Sequence, residues 1–264
     1  MEQKSLSDLN KLQAGERLVP SRREVSLMYP MVDHLARYHF AEKYVKDQAI
    51  LDVGCGTGYG SATVAHNSRF LVGIDQSRNA ISYAGKHYAG PRTEFIVQDA
   101  SHLGFSDDTF DVVLSFEMIE HLQDPAMFLS QINRVLRKGG LFIISTPNKI
   151  YTSPGRATPI WKFHKTEYYA SEFEDLLRQF FEVRMFGQRI SSTQYAQWDK
   201  RILKLQRYGR ILPSALIRLV PMRFIFATVG GAPQPKMDEI SISTSDVATS
   251  RTLIGVCTKR GLRP

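Results

Sequence analysis

From residue 49 onward, apolar and polar positions follow a regular rhythm. Five short apolar runs stand out: AILDV (49–53), FLVGID (70–75), TEFIVQD (93–99), FDVVLSF (110–116) and LFIISTP (141–147). They lack strict polar alternation, as expected of strands covered on both faces. Helical stretches separate them: SATVAHN (61–67) after the first run, 77–88 after the second and 125–137 after the fourth. Pro125 suits the first turn of a helix, and Gly139-Gly140 is expected to close that helix and turn the chain. Ahead of the first strand, residues 31–47 carry Leu35, Tyr38 and either Ala41 or Tyr44 at helical spacing. Strands alternating with helices at this interval predict right-handed crossovers and a parallel sheet.

Beyond Pro147 the rhythm loosens. Pro154 and Pro159 mark a loop, and SEFEDLLRQF (171–180) reads as a helix with Ser171 as its N-cap and Glu174 completing a capping box. FEVRMFGQ (181–188) and RTLIGVCTK (251–259) are expected to add two strands. The fold class is therefore α/β: a doubly wound, mostly parallel seven-stranded sheet with helices on both faces and a helical cap insertion. Residues 1–30 form an N-terminal arm, 31–188 and 251–264 the core, and 189–250 a basic cap.

Charge changes this picture in one place. The chain carries a formal net charge of +8, which permits an anionic partner without choosing one. Lys200, Arg201, Lys204, Arg207, Arg210, Arg218 and Arg223 hold much of the excess, interleaved with Ile and Leu. Two readings stand: a solvated basic face of the cap, or an interfacial helix giving peripheral membrane contact. No apolar run is long enough for a membrane span, and the first residues lack the apolar core of a secretory signal. Two cysteines, Cys55 and Cys257, form no disulfide framework, so reduced thiols and a cytoplasmic setting are expected.

The chemistry concentrates at ILDVGCGTG (50–58), where a strand gives way to a helix. Gly54, Gly56 and Gly58 let the backbone turn sharply and approach a ligand. A dinucleotide fingerprint would need glycine at 59, and that position is Tyr59. Asp52, Asp75 and Asp99 lie at the ends of three successive strands, the edge where open α/β sheets bind ligands. Three acids disfavour a pyrophosphate and suit a cationic ligand, so a nicotinamide oxidoreductase is the remote option.

These residues resemble the class I S-adenosylmethionine-dependent methyltransferases of the type 11 group. The resemblance runs over 30–147 through ILDVGCGTG, VGIDQS, QDASHLGF, FDVVLSFEMIEHL and RVLRKGGLFIISTPN. It implies a Rossmann-like fold, with S-adenosyl-L-methionine as cofactor. It gives Gly54, Gly56 and Gly58 to the cofactor loop, Asp75 to the ribose and Asp99 with Ala100 to the adenine. Asp52 would face the methionine amino end, and Phe116 would lie near the methionine moiety. The flanks GERLVP, HLARYHFA, FHKTEYYASEFEDLL and SRTLIGVCTK resemble a subgroup of glycan and natural-product biosynthesis.

On the acceptor side, His121 follows the fourth strand and has the pKa range of a general base. Its bland reading is a structural histidine at a helix start. Glu117, His164 and Glu167 are candidates to shape the acceptor pocket. Cys55 reads as a small spacer between glycines. No metal is expected, because the histidines lack clustered ligand spacing along the chain. The leading expectation is O-methylation of a sugar, glycan or related small metabolite, lipid-linked acceptors included. A quinone or polyketide-type small-molecule methyltransferase, an RNA methyltransferase and a non-catalytic cofactor-binding module are the alternatives. Methyltransferase families that act on adenine N6 or glutamine amides carry an Asn/Asp-Pro-Pro-aromatic segment at the end of the fourth strand, and its absence here argues against those acceptors. No aromatic stacking platform for single-stranded nucleic acid is apparent either, so nucleic acid is disfavoured.

Overall fold

The computed structural model describes residues 31–197, 201 and 235–260. Helix α1 (Met31–Val45) precedes β1 (Ala49–Val53), α2 (Tyr59–Ala65), β2 (Phe70–Asp75), α3 (Arg78–Tyr88), β3 (Thr93–Val97) and β4 (Phe110–Phe116). A 3-10 turn (Ile119–His121) leads to α4 (Pro125–Val135), β5 (Leu136–Pro147), α5 (Lys149–Thr152), α6 (Ala170–Arg178) and β6 (Phe181–Ile190). Strands β7 (Ile240–Ser243) and β8 (Thr252–Lys259) complete the described chain.

The strands form one sheet in the order β3-β2-β1-β4-β5-β8-β6-β7. The first five run parallel, and β8 lies antiparallel between β5 and β6. Alternate residues of the central strands feed two cores. Ile50, Val112, Leu114 and Ile143 join Tyr38 and Ala41 of α1 and Val64 of α2 on one face. Leu51, Val53, Val113, Phe142 and Ile144 join Phe128, Leu129 and Ile132 of α4 and Phe173 and Leu177 of α6 on the other. Every residue of β1 is buried, which explains its unbroken apolar run.

Among the described residues the sheet has eight strands, not the seven expected. The additional strand, β7, pairs antiparallel with β6 from Gly187↔Ser243 to Ile190↔Ile240. It belongs to the stretch assigned to the cap, and four residues are too few to show a period. The arm 1–30 and the basic stretch 200–223, Arg201 apart, lie outside the described residues. No helix among the described residues is long and apolar enough to cross a membrane.

Local differences have identifiable causes. Helix α4 stops at Val135, short of Gly139-Gly140, because Leu136 already pairs with Phe110. Asp124 caps its start by accepting the Met127 N–H at 2.9 Å, with Pro125 in the first turn. Helix α6 begins at Ala170, and Glu172 closes it back on the Tyr169 N–H at 2.9 Å. Ser171 is therefore inside the helix, and Glu174 pairs with Arg178 at 2.5 Å instead of capping.

Candidate functional site

The turn after β1 is built from backbone and one carboxylate. Gly54, Gly56 and Gly58 all have positive φ. At Gly58 (φ +80) a Cβ would also stand 2.7 Å from the Ala84 Cβ, so conformation and space both demand glycine. At Gly56 (φ +56) nothing lies within 4 Å of a Cβ position, leaving an open face beside the turn. The Gly54 and Cys55 N–H groups donate to the Ile74 carbonyl at 2.8 and 3.0 Å. Asp75 Oδ2 accepts the Gly56 N–H at 3.2 Å, and Oδ1 accepts the Ser77 N–H at 2.8 Å. Asp75 thus ties the end of β2 to both the glycine turn and the start of α3.

Asp52 is wholly buried. Its Oδ2 accepts from the Tyr38 hydroxyl at 3.1 Å and the Ser61 hydroxyl at 2.5 Å. Its Oδ1 is buried without a hydrogen-bond partner among the described residues. Burial pushes the Asp52 pKa up to about 6, opposed by the bonds from Ser61 and Tyr38. Phe116, at the end of β4, is 4% exposed and meets the Tyr38 ring edge-on at 4.9 Å.

Helix α1 covers this turn, and its role was not legible in the sequence. Gly60 has no room for a Cβ against the Tyr38 ring, so α1 and α2 touch closely. His34 Nδ1 lies 2.7 Å from the Tyr59 hydroxyl. Burial, with Arg37 nearby, holds the His34 pKa well below its ordinary value, so the imidazole is neutral. Arg37 donates to Gln188 at 3.2 Å and lies 3.9 Å from Asp33, tying α1 to β6. The only sequence signal was helical spacing around Tyr38, which marks a buried face and says nothing of contact with Asp52.

Asp99 stands past the end of β3 in an exposed turn. Its Oδ1 accepts the Ser101 N–H and hydroxyl, both at 2.8 Å, and these bonds lower its pKa. Ala100 is half-buried against the core.

At the end of β4 a second group of side chains comes together. Glu117 follows β4 with φ +55, a strained conformation for a non-glycine residue. Its Oε1 accepts from the Ser145 hydroxyl at 2.7 Å. Glu120 is 1% exposed, with Oε2 accepting from the Thr146 hydroxyl at 3.0 Å. Burial, aided by the neighbouring Glu117 charge, raises the Glu120 pKa, and His164 opposes this. The Lys165 and Thr166 N–H groups donate to the Glu120 carbonyl at 2.7 and 3.2 Å, drawing the 160s loop onto the turn. His164 thereby reaches His121, their rings 5.0 Å apart between centroids. His164 is buried and bonds Glu167 through Nδ1 at 2.7 Å. His121 Nδ1 lies 3.2 Å from the Phe163 carbonyl oxygen. Chain spacing gave no sign of this grouping, because His164 joins only through tertiary folding. The group adjoins the glycine turn: a Cβ on Gly54 would stand 2.8 Å from Cγ of Met118, which leads into the 3-10 turn.

The turn fits a ligand with a cationic end and a diol. An unpartnered buried carboxylate oxygen, an open glycine face and the Asp75 acceptor are the groups S-adenosylmethionine needs. The comparisons agree. A methyltransferase domain family matches residues 51–144. A probable S-adenosylmethionine-dependent methyltransferase of Mycolicibacterium smegmatis is 37% identical over 163 residues, 62% of each chain. One of Mycobacterium tuberculosis is 35% identical over 202 residues, 75% of this chain and 68% of its own. This chain thus spans about two thirds of the length of these relatives. A ubiquinone biosynthesis O-methyltransferase of Parvibaculum lavamentivorans is 38% identical over 106 residues, 39% of this chain and 42% of its own. Among solved structures, the (4+2)-cyclase SpnF superposes with a TM-score of 0.59 at 18% identity, covering 98% of this chain and 93% of that one. That likeness shows the fold and not the reaction. With the family match, the relatives and the geometry of the glycine turn in agreement, the chain belongs to the S-adenosylmethionine-dependent methyltransferases.

Proposed function

We propose that this chain methylates a hydroxyl group of a small acceptor, with a sugar or glycan hydroxyl as the leading class. The observation that carries this is the group of Glu117, Glu120, His121 and His164 beside the glycine turn. A hydroxyl must lose its proton to act as nucleophile, and imidazole with buried carboxylates is the chemistry that receives one. The seven Lys and Arg between 200 and 223, with no acid among them, favour an acceptor that carries negative charge, such as a lipid-phosphate-linked one.

When bound, the cofactor would supply an electrophilic sulfonium methyl for transfer to the acceptor oxygen, with the thioether as leaving group. The chain supplies orientation and a dry site. Asp75 and the turn at Gly54, Gly56 and Gly58 hold the ribose end. Asp52, beside Phe116, would receive the amino end. Asp99 and Ala100 border the adenine. The hydroxyl proton would pass to a carboxylate or imidazole of the group formed by Glu117, Glu120, His121 and His164.

A phenolic hydroxyl of a quinol is the second reading, favoured by the similarity to the ubiquinone biosynthesis O-methyltransferase. Methyl-labelled S-adenosylmethionine, incubated with the protein and fractionated cell extract, tests both. Alkali-stable label in glycan or sugar fractions is the expected result. Label in quinols would establish the second reading instead. Nuclease-sensitive label would overturn both.

A further inference from the structure

We propose that Glu120, His121 and His164 hold a divalent transition-metal cation of the zinc class. One oxygen of Glu120 and one nitrogen of each histidine lie within 4.8 Å of one another. Two ligands each about 2.0–2.1 Å from a zinc ion stand at most about 4 Å apart, so side-chain movements of roughly 1 Å seat all three. Glu120 Oε1 is 3.9 Å from His121 Nε2, too far for a hydrogen bond and within the span of two ligands on one ion.

The surroundings orient the donors. His121 Nδ1 faces a carbonyl oxygen, which cannot donate, so that nitrogen carries the proton and Nε2 presents a lone pair. His164 Nδ1 faces the Glu167 carboxylate at 2.7 Å, with both residues buried, and the same argument turns its Nε2 into the ligand atom. A histidine whose second nitrogen donates to a carboxylate or backbone carbonyl is the usual form of a metal-ligating imidazole. Thr146 holds the other oxygen of Glu120.

Charge gives an independent reason. Glu120 and Glu167 are 1% and 3% exposed, and Glu117 is half-buried beside them. Among the described residues no lysine or arginine forms an ion pair with any of the three. Glu167 Oε2 is buried without a hydrogen-bond partner among those residues. Buried carboxylates with only imidazoles beside them are costly to charge, and a divalent ion relieves that cost. Two imidazoles and a carboxylate suit zinc, cobalt, manganese or iron, and leave further positions on the ion open.

This inference deepens the hydroxyl reading and rests on it for the ion's role. A hydroxyl bound at an open position ionises more readily. His121 then serves as a ligand, and the proton leaves to Glu117 or to solvent.

The test uses the full chain, stripped with a chelator and titrated with Zn2+ and with Co2+. We expect one equivalent of zinc to bind, and cobalt to give a visible absorption band that zinc displaces. His164→Gln and Glu120→Gln should each lose the band and weaken zinc binding by about 100-fold or more. Glu167→Gln, which alters only the group orienting His164, should weaken it by roughly 10–100-fold. His39→Gln, an exposed change on α1, should match the wild type. Circular dichroism identifies any variant that fails to fold. Equal zinc binding by wild type and a folded His164→Gln protein would overturn the site. Metal binding as expected, with no hydroxyl methylated in any fraction, would refute the hydroxyl reading and leave the site standing. Full methylation by chelator-stripped protein would refute the ion's role in the reaction.

Discussion

Asp75 and Gly56 are joined by a hydrogen bond of 3.2 Å from the glycine N–H to the carboxylate, so the end of β2 and the glycine turn are one unit. Asp75→Asn keeps the shape and loses the charge. A hydrogen bond to a charged group contributes about 1.5–3 kcal/mol. S-adenosylmethionine affinity should fall roughly tenfold to a hundredfold, read by calorimetry. Unchanged affinity would remove Asp75 from the site.

Two glycines near this turn should respond with opposite signs. Gly58→Ala meets both a left-handed backbone and the Ala84 Cβ, and should destabilise by about 1–3 kcal/mol while weakening cofactor binding. Gly85 is exposed within α3 with nothing near its Cβ position. Gly85→Ala should stabilise by roughly 0.4–1 kcal/mol. Denaturant midpoints separate the two.

Asp52 predicts a pH dependence. Its pKa is 3.8 unperturbed and about 6 when folded. A raised folded value means that the folded chain holds the proton more tightly. The stabilisation from protonation is complete below about 4 and is lost as pH rises through 6. The unliganded wild type should therefore gain stability relative to Asp52→Asn between pH 7.5 and 4.5, measured by thermal unfolding. A constant difference across that range would contradict the burial argument.

Glu117 separates stability from activity. Replacing it by glycine relieves a left-handed backbone, worth about 1–2 kcal/mol, and loses the Ser145 bond, worth about 1 kcal/mol. Stability should change by no more than about 1 kcal/mol, whereas methyl transfer should fall at least tenfold. Equal turnover by the two proteins would reduce Glu117 to a structural residue.

Much of this molecule was legible along the chain. The unbroken apolar runs marked the five parallel strands, because strands covered on both faces need apolar residues on both. The glycine turn was legible because its geometry depends on neighbours in sequence: a strand end, a tight turn and a helix start. The short ladder of β7 was not, since four residues show no period and their pairing is set by β6. Helix α4 ended early for a similar reason, as the start of β5 took Leu136.

The acceptor side shows where local reading stops. His121 was visible as a candidate base, and His164 and Glu167 as loop residues. That they form one group with Glu120 depends on two backbone bonds that fold the 160s loop onto the turn after β4. Likewise Tyr38 read as a helix-face residue, and only the packing of α1 on α2 sets its hydroxyl on Asp52. Sequence by itself determined the five parallel strands, the helices between them and the glycine turn, because these arise from periodicity and adjacent residues. Tertiary structure alone decided the Glu120–His121–His164 grouping and the burial of Asp52. Distances between residues far apart in the chain, and the loss of water around them, exist only once the elements pack.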